Sequence, residues 1–86
     1  MDFVFDREKS GSNKEKHGID FIEAQVIWED PELVEFPVDF ENEARFQIIG
    51  RAYEKIWTGV ITYRKNLTRL ISVRRARKDE VQDYES

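Results

Sequence analysis

Short apolar runs alternate with polar segments along the chain, and the spacing inside each run predicts the elements. Phe3, Val4 and Phe5 form a brief apolar run suited to an edge strand. Asp6 stands where a helix N-cap would, and Gly18 where the left-handed residue past a helix end would. Between them, residues 7–17 hold no strongly apolar side chain. Gly11, Ser10, Ser12 and Asn13 lower helix propensity further, so local preference predicts a marginal helix or a mobile loop. From Ile19 the pattern changes. Asp20 and Glu23 have capping-box spacing, with Ile19 and Ala24 placed as a hydrophobic staple. Phe21, Ile22, Ala24, Val26, Ile27 and Trp28 then give a second helix a wide apolar face that should anchor the core. Asp30-Pro31 ends it, because a residue before proline is pushed out of helical geometry.

Residues 33–38 have strand character, with Pro37 pointing to an edge, and the acidic stretch 39–43 reads as a loop. Three runs rich in β-branched and aromatic residues follow, at 45–53, 56–63 and 67–76. The gaps between them are short enough for hairpins, so their pairing should be antiparallel. The last eight residues read as a short polar helix carrying Val81 and Tyr84. The order strand, two helices, three or four strands, terminal helix is α+β, with helices packed on an antiparallel sheet. In the last strand, strict alternation places Arg69, Ile71, Val73 and Arg75 on one face and Leu70, Ser72, Arg74 and Ala76 on the other. Both faces are half apolar, which predicts a central strand.

Composition narrows the function classes. Eighty-six residues make one domain, 1–86, with 40% apolar and 37% charged residues, so the core is small. That argues against large cofactor pockets and two-domain clefts. The absence of cysteine removes disulfides, thiolate zinc sites and cysteine nucleophiles. No apolar run approaches the roughly 20 residues of a membrane span, and the N-terminus lacks the features of a signal peptide. A cytoplasmic location is the expectation.

The net charge of −4 conceals a segregation that matters more. Residues 55–78 carry eight Lys or Arg and no acid, whereas residues 1–54 carry fourteen acids against six bases. Such polarity points to an anionic partner on one surface, or else to internal pairing of the basic stretch with the acidic parts. Arginines converging at a sheet rim make a phosphate site, and Arg51, Arg64 and Arg69 sit near strand ends with the others. Trp57 and Tyr63 are candidates to stack unpaired RNA bases. The alternative is that Trp57 belongs to the core and the arginines to a solvated edge. His17, the only histidine, is either a proton-transfer group or a cation at a helix C-terminus. There is no phosphate-binding glycine loop, nucleophile elbow or calcium-loop spacing. No cofactor or metal is expected.

The assembled order is Phe3-x-Phe5-Asp6, then Asn13-x-x-Lys16-His17-Gly18-Ile19-x-Phe21-x-Glu23-Ala24. Asp30-Pro31 and Glu43-x-Arg45-Phe46-x-x-Ile49-Gly50-Arg51 follow. Thr62-Tyr63, Arg69-Leu70-Ile71-Ser72-Val73-Arg74-Arg75-Ala76 and Tyr84 complete it. Over nearly its whole length this resembles the BrnT toxin family, type II toxins related in fold to the RelE ribonucleases. Ser10-Gly11-Ser12 stands where that family is usually alanine-rich, and Phe5 where it often has tryptophan. The resemblance implies a RelE-like compact α+β domain and metal-free RNA cleavage that arrests translation. Its implied partners are RNA, free or on the ribosome, and a BrnA-like ribbon-helix-helix antitoxin, with operator DNA reached only through that complex. No membrane partner is implied. By the same resemblance, Arg74 and Arg75 contact the phosphate with Arg64 and Arg69 behind them. Lys16 and His17 transfer protons, and Tyr63 or Tyr84 stacks on bases or acts as an acid. Arg51 and Trp57 complete the expected RNA contacts. A non-catalytic binding module of the same fold is the competing reading. Charge alone places the antitoxin over the basic sheet surface.

Overall fold

The computed structural model describes residues 2–38, 41 and 43–86, so most of the predicted acidic loop at 39–43 lies outside the described residues. The chain begins with β1 (Asp2–Val4), α1 (Arg7–His17) and a 3₁₀ helix (Glu23–Glu29). Four strands follow: β2 (Val34–Val38), β3 (Arg45–Ala52), β4 (Lys55–Arg64) and β5 (Leu67–Arg75). The last element is α2 (Lys78–Glu85). They form an α+β fold around one five-stranded sheet of order β1-β5-β4-β3-β2. The pairings from β2 to β5 are antiparallel, as the hairpin gaps predict, while β1 adds to β5 in parallel. Tyr53 and Glu54 both have positive φ, 53° and 63°, which closes the β3–β4 hairpin with the twist its strands require. No helix among the described residues is long and apolar enough to cross a membrane.

The core lies between the sheet and the connecting segment. Ile48, Trp57, Ile61, Leu70 and Val73 supply the sheet side, and Ile19, Phe21, Ala24 and Ile27 cover them. Phe21, Ala24 and Ile27 are essentially fully buried and recur every third residue. That is the period of a 3₁₀ helix, and it explains why the predicted second helix is not an α-helix. The Asp20–Glu23 box forms in the turn that leads into the 3₁₀ helix: Asp20 Oδ1 accepts from the Glu23 amide at 2.7 Å, and Glu23 Oε1 accepts from the Asp20 amide at 2.9 Å. A Cβ on Gly50 would stand 2.7 Å from Ile27 Cγ2, so the 3₁₀ helix rests directly on the β3 backbone.

α1 is a regular helix whose buried residues are polar, Ser10 and Asn13. Asp6 caps it by accepting from the Glu8 amide at 2.8 Å, and Gly18 ends it at φ 79°. β1 reaches only to Arg69 of β5, leaving the edge beyond without a strand. The Asn13 amide takes that place. Its Nδ2 donates to the Val73 carbonyl at 2.8 Å and its Oδ1 accepts from the Val73 amide at 3.2 Å, as a neighbouring strand would. The same Nδ2 donates to the Ile19 carbonyl at 2.7 Å, and Ser10 Oγ accepts from the Phe21 amide at 2.9 Å. Long-range hydrogen bonds thus stabilise a helix that local propensity leaves marginal. Asn13→Ala should cost about 2 kcal/mol by stranding three backbone groups, part of which water can reach. Gly11→Ala should instead add several tenths of a kcal/mol, since a Cβ there meets nothing within 4 Å. Urea unfolding of the two variants checks both signs; a destabilising Gly11→Ala would contradict a helix at 7–17.

One strand departs from the predicted facing. Val60 pairs with Ser72 but Ile61 pairs with Leu70, so Ile71 is an extra residue on β5, a β-bulge. The bulge shifts alternation by one. Arg69, Ser72 and Arg74 therefore share a sheet face with Thr62, Val60 and Thr58, while Leu70, Val73 and Arg75 share the opposite, core-side face. Strict alternation had separated Arg69 from Arg74 and grouped it with Arg75. Only after Arg69, where β1 stops, does β5 cease to be the central strand that was expected.

Candidate nucleic-acid interface

Lys9, Ser12, Asn13 and Lys16 occur at helical spacings of three, four and seven, so they form one stripe along α1. Asn13 binds that stripe to the β5 edge at Val73. Beside the junction lies a concavity of about 200 Å³, lined by Lys9, Ser12, Asn13, Lys16, His17, Ile71 and Ser72. The bulge at Ile71 therefore borders it directly. Lys9, Lys16 and His17 are exposed, and among the described residues none of them forms an ion pair. Lys14, on another side of the helix, is instead paired with Glu23 at 2.9 Å. That hydrogen bond raises the Lys14 ammonium above its ordinary value. Two sequence-predicted proton-transfer residues, Lys16 and His17, are thus brought to one groove. Lys9, Ser12 and Ser72 join them; the spacing of Lys9 and Lys16 on one helix face was the only signal for it in the sequence.

The arginines divide. Arg69 is half-buried beside Ser72 on the same sheet face, with no ion pair among the described residues. Arg74, on the other side of Ser72, is committed to Glu80 through two charge-assisted bonds, Nη1–Oε1 and Nη2–Oε2, each 2.7 Å. Glu80 also accepts from Thr58 Oγ1 at 3.0 Å and from the Arg77 amide at 2.8 Å. Arg74 is the first cause that holds the Glu80 carboxyl down at about 2, against the penalty of burial. The same bond raises Arg74. Arg64 lies 3.6 Å from Glu43, which also accepts from Arg45 Nε at 3.2 Å.

The aromatic candidates are spread through the molecule. Trp57 is 4% exposed, its Nε1 donates to the Ala52 carbonyl at 2.9 Å, and the Arg75 guanidinium lies 5.8 Å from its ring centroid. Trp57 therefore presents no open ring to a base: it was placed by volume in the core, the alternative that its sequence position left open. Tyr63 is six residues further along β4, roughly 20 Å at strand rise. Its hydroxyl donates to Glu35 Oε1 at 2.7 Å. Burial and that carboxylate push the phenol up to about 12. Tyr84 donates to Asp30 Oδ2 at 2.6 Å, with the Arg51 guanidinium 6.0 Å from its ring. Burial pushes the Asp30 carboxyl up, but the bonds from Tyr84, the Glu32 amide and the Arg51 amide outweigh it and leave it lowered. Arg51 and Tyr84 thus form a cluster where α2 meets the end of the 3₁₀ helix. They share no lining residue with the α1–β5 groove.

A groove that gathers Lys9 and Lys16, without ion pairs among the described residues, beside the hydroxyls of Ser12 and Ser72 suits a phosphodiester; its histidine and lysine suit proton transfer. Residues 5–80 match the family described as the ribonuclease toxin BrnT of type II toxin-antitoxin systems, a span that holds every residue of the groove and Glu80. No curated protein matches the chain.

Proposed function

Because the chain belongs to the BrnT family of ribonuclease toxins of type II toxin-antitoxin systems, we propose that it cleaves RNA without a metal in the groove between α1 and β5. Translation arrest follows from that cleavage, and a BrnA-type ribbon-helix-helix antitoxin neutralises it. The observation that carries the reading is the set Lys9, Lys16 and His17, free of carboxylate partners among the described residues and gathered on one concavity.

A phosphate of the substrate enters between α1 and β5, where Lys9 and Arg69 hold its non-bridging oxygens against the charge that builds in the transition state. One of His17 and Lys16 removes the proton of the ribose 2′-hydroxyl, and the 2′-oxygen forms a bond to the adjacent phosphorus. The bond from phosphorus to the 5′-oxygen breaks, and the other of the pair delivers a proton to that oxygen. The products are a 2′,3′-cyclic phosphate and a free 5′-hydroxyl. Arg74 acts as a positioning residue, holding α2 on β5 through Glu80. Arg75, Arg64 and Tyr63 lie further along the sheet and serve the flanking nucleotides, and Arg51 with Tyr84 reads a more distant part of the strand. Trp57 contributes by packing beneath Arg75.

DNA lacks the attacking hydroxyl, so cleavage should be confined to RNA. Purified protein incubated with an oligoribonucleotide and its all-deoxy counterpart, in a chelator, should cut only the first and leave cyclic-phosphate and 5′-hydroxyl ends. Cleavage of the DNA, or 5′-phosphate ends, would refute the mechanism.

A further inference from the structure

A second concavity, of about 460 Å³, opens between β1 and the 3₁₀ helix, lined by Phe3, Ile22, Gln25, Val26, Trp28 and Glu29. It shares no lining residue with the basic groove. Phe3 meets Trp28 edge-on at 4.9 Å, which gives the concavity an aromatic wall. Ile22 is 67% exposed, the most of the large apolar side chains exposed among the described residues. β1, beside it, is the outermost strand of the sheet, so its outer edge has no strand partner among the described residues. An exposed isoleucine on an aromatic groove at a sheet edge is a surface that gains by being covered.

Charge selects the occupant. Among the described residues, no Lys or Arg lines the groove. Glu29 lines the groove and is exposed. A groove with an exposed carboxylate and no cation in its lining disfavours RNA. A second copy of the chain is disfavoured as well, because a two-fold contact of this lining with itself brings no cation to Glu29. What fits is a protein segment that combines apolar side chains with lysine or arginine. We propose that the antitoxin docks here through a basic amphipathic segment, its apolar side chains against Ile22, Phe3 and Trp28 and a cation against Glu29. This rests on the reading that an antitoxin neutralises the chain. It places the contact on a different surface from the basic one that charge alone suggested, where Arg74 and Arg64 already face Glu80 and Glu43.

The test is calorimetric titration of the protein with the purified product of the neighbouring antitoxin gene. Ile22→Lys and Glu29→Lys change exposed side chains, and thermal melts establish that each variant folds. Each should weaken binding by about 10- to 100-fold, with RNA cleavage in the absence of antitoxin unchanged. A Lys9→Glu, Lys16→Glu variant should lose cleavage and keep the antitoxin affinity. Unchanged affinity in both groove variants, or loss of affinity in the Lys9, Lys16 variant alone, would overturn the placement and leave the antitoxin reading intact. A parent protein that does not bind the antitoxin would overturn both.

Discussion

A variant carrying Lys16→Ala and His17→Ala should lose RNA cleavage by about 10²- to 10⁴-fold, the range that removal of positioned proton-transfer groups produces. It should do so while remaining folded. Both side chains are exposed and neither has a partner among the described residues, so their removal strands no buried group. The expected loss of stability is small, from removing the Lys16 charge at the C-terminal end of α1. The combination of a large kinetic effect with a small thermodynamic one separates chemistry from scaffold. Lys9→Ala, which removes a phosphate contact and leaves both proton carriers, should act more weakly on the rate. The two single variants at 16 and 17 should each cost nearly as much as the double, because groups that act in one step are not additive. Rates on a defined oligoribonucleotide, read beside a urea melt, provide both numbers. Cleavage in the double variant at the parental rate would remove Lys16 and His17 from the mechanism.

Arg74→Ala should have the reverse signature, a large loss of stability. The substitution leaves the Glu80 carboxylate, whose side chain is only 8% exposed, without its cation. Breaking a buried pair in that way costs about 3–5 kcal/mol; Arg74 is 29% exposed, so the lower end applies. The pH dependence follows from the same contact. The Glu80 carboxyl sits at about 2 in the folded protein against an ordinary value of 4.5. The unfolded chain therefore binds this proton at a higher pH than the folded chain does. Its contribution, on the order of 3 kcal/mol, is complete above about pH 4.5 and disappears as the pH falls through about 2. Asp30, Glu23 and Glu43 are lowered too, so the parent's acid curve is a sum. Subtracting the curve of Glu80→Gln isolates the one group. Urea melts from about pH 6 down to about pH 2 should show the two proteins converging as the solution is acidified. A constant gap across that window would mean that Glu80 does not titrate as a depressed carboxyl.

These contrasts bear on how arginine clusters are read. Eight cations in 24 residues suggested a phosphate surface, and the tertiary structure divides them by their neighbours. Arg74 has a carboxylate six residues on, at the third position of α2, which folds back over Thr58. Arg69 has none among the described residues. A count of charges carries no such distinction, because it depends on which face of β5 each arginine occupies and where the chain turns afterwards.

What the sequence determined by itself is local. The Asp20–Glu23 capping box, the stop at Asp30-Pro31, the strands in 45–76 and their two hairpins depend on residues a few positions apart, and they stand in the structure within a residue or two. The family resemblance, carried by short motifs, was legible for the same reason. What only the tertiary structure decided depends on partners far along the chain. α1 is a helix because Ser10 and Asn13 bond to Phe21, Ile19 and Val73, the last of them 60 residues away, and local propensity counts none of those bonds. The bulge at Ile71 is set by the pairing of two strands, and one extra residue moved Arg69 to the face of Ser72 and Arg74. The groove depends on that register and on Asn13 together, since Lys9, Lys16 and His17 meet Ile71 and Ser72 only once α1 lies along the open edge of β5. Propensity and spacing decay over a turn or two of chain, whereas a site is made where distant segments are held together.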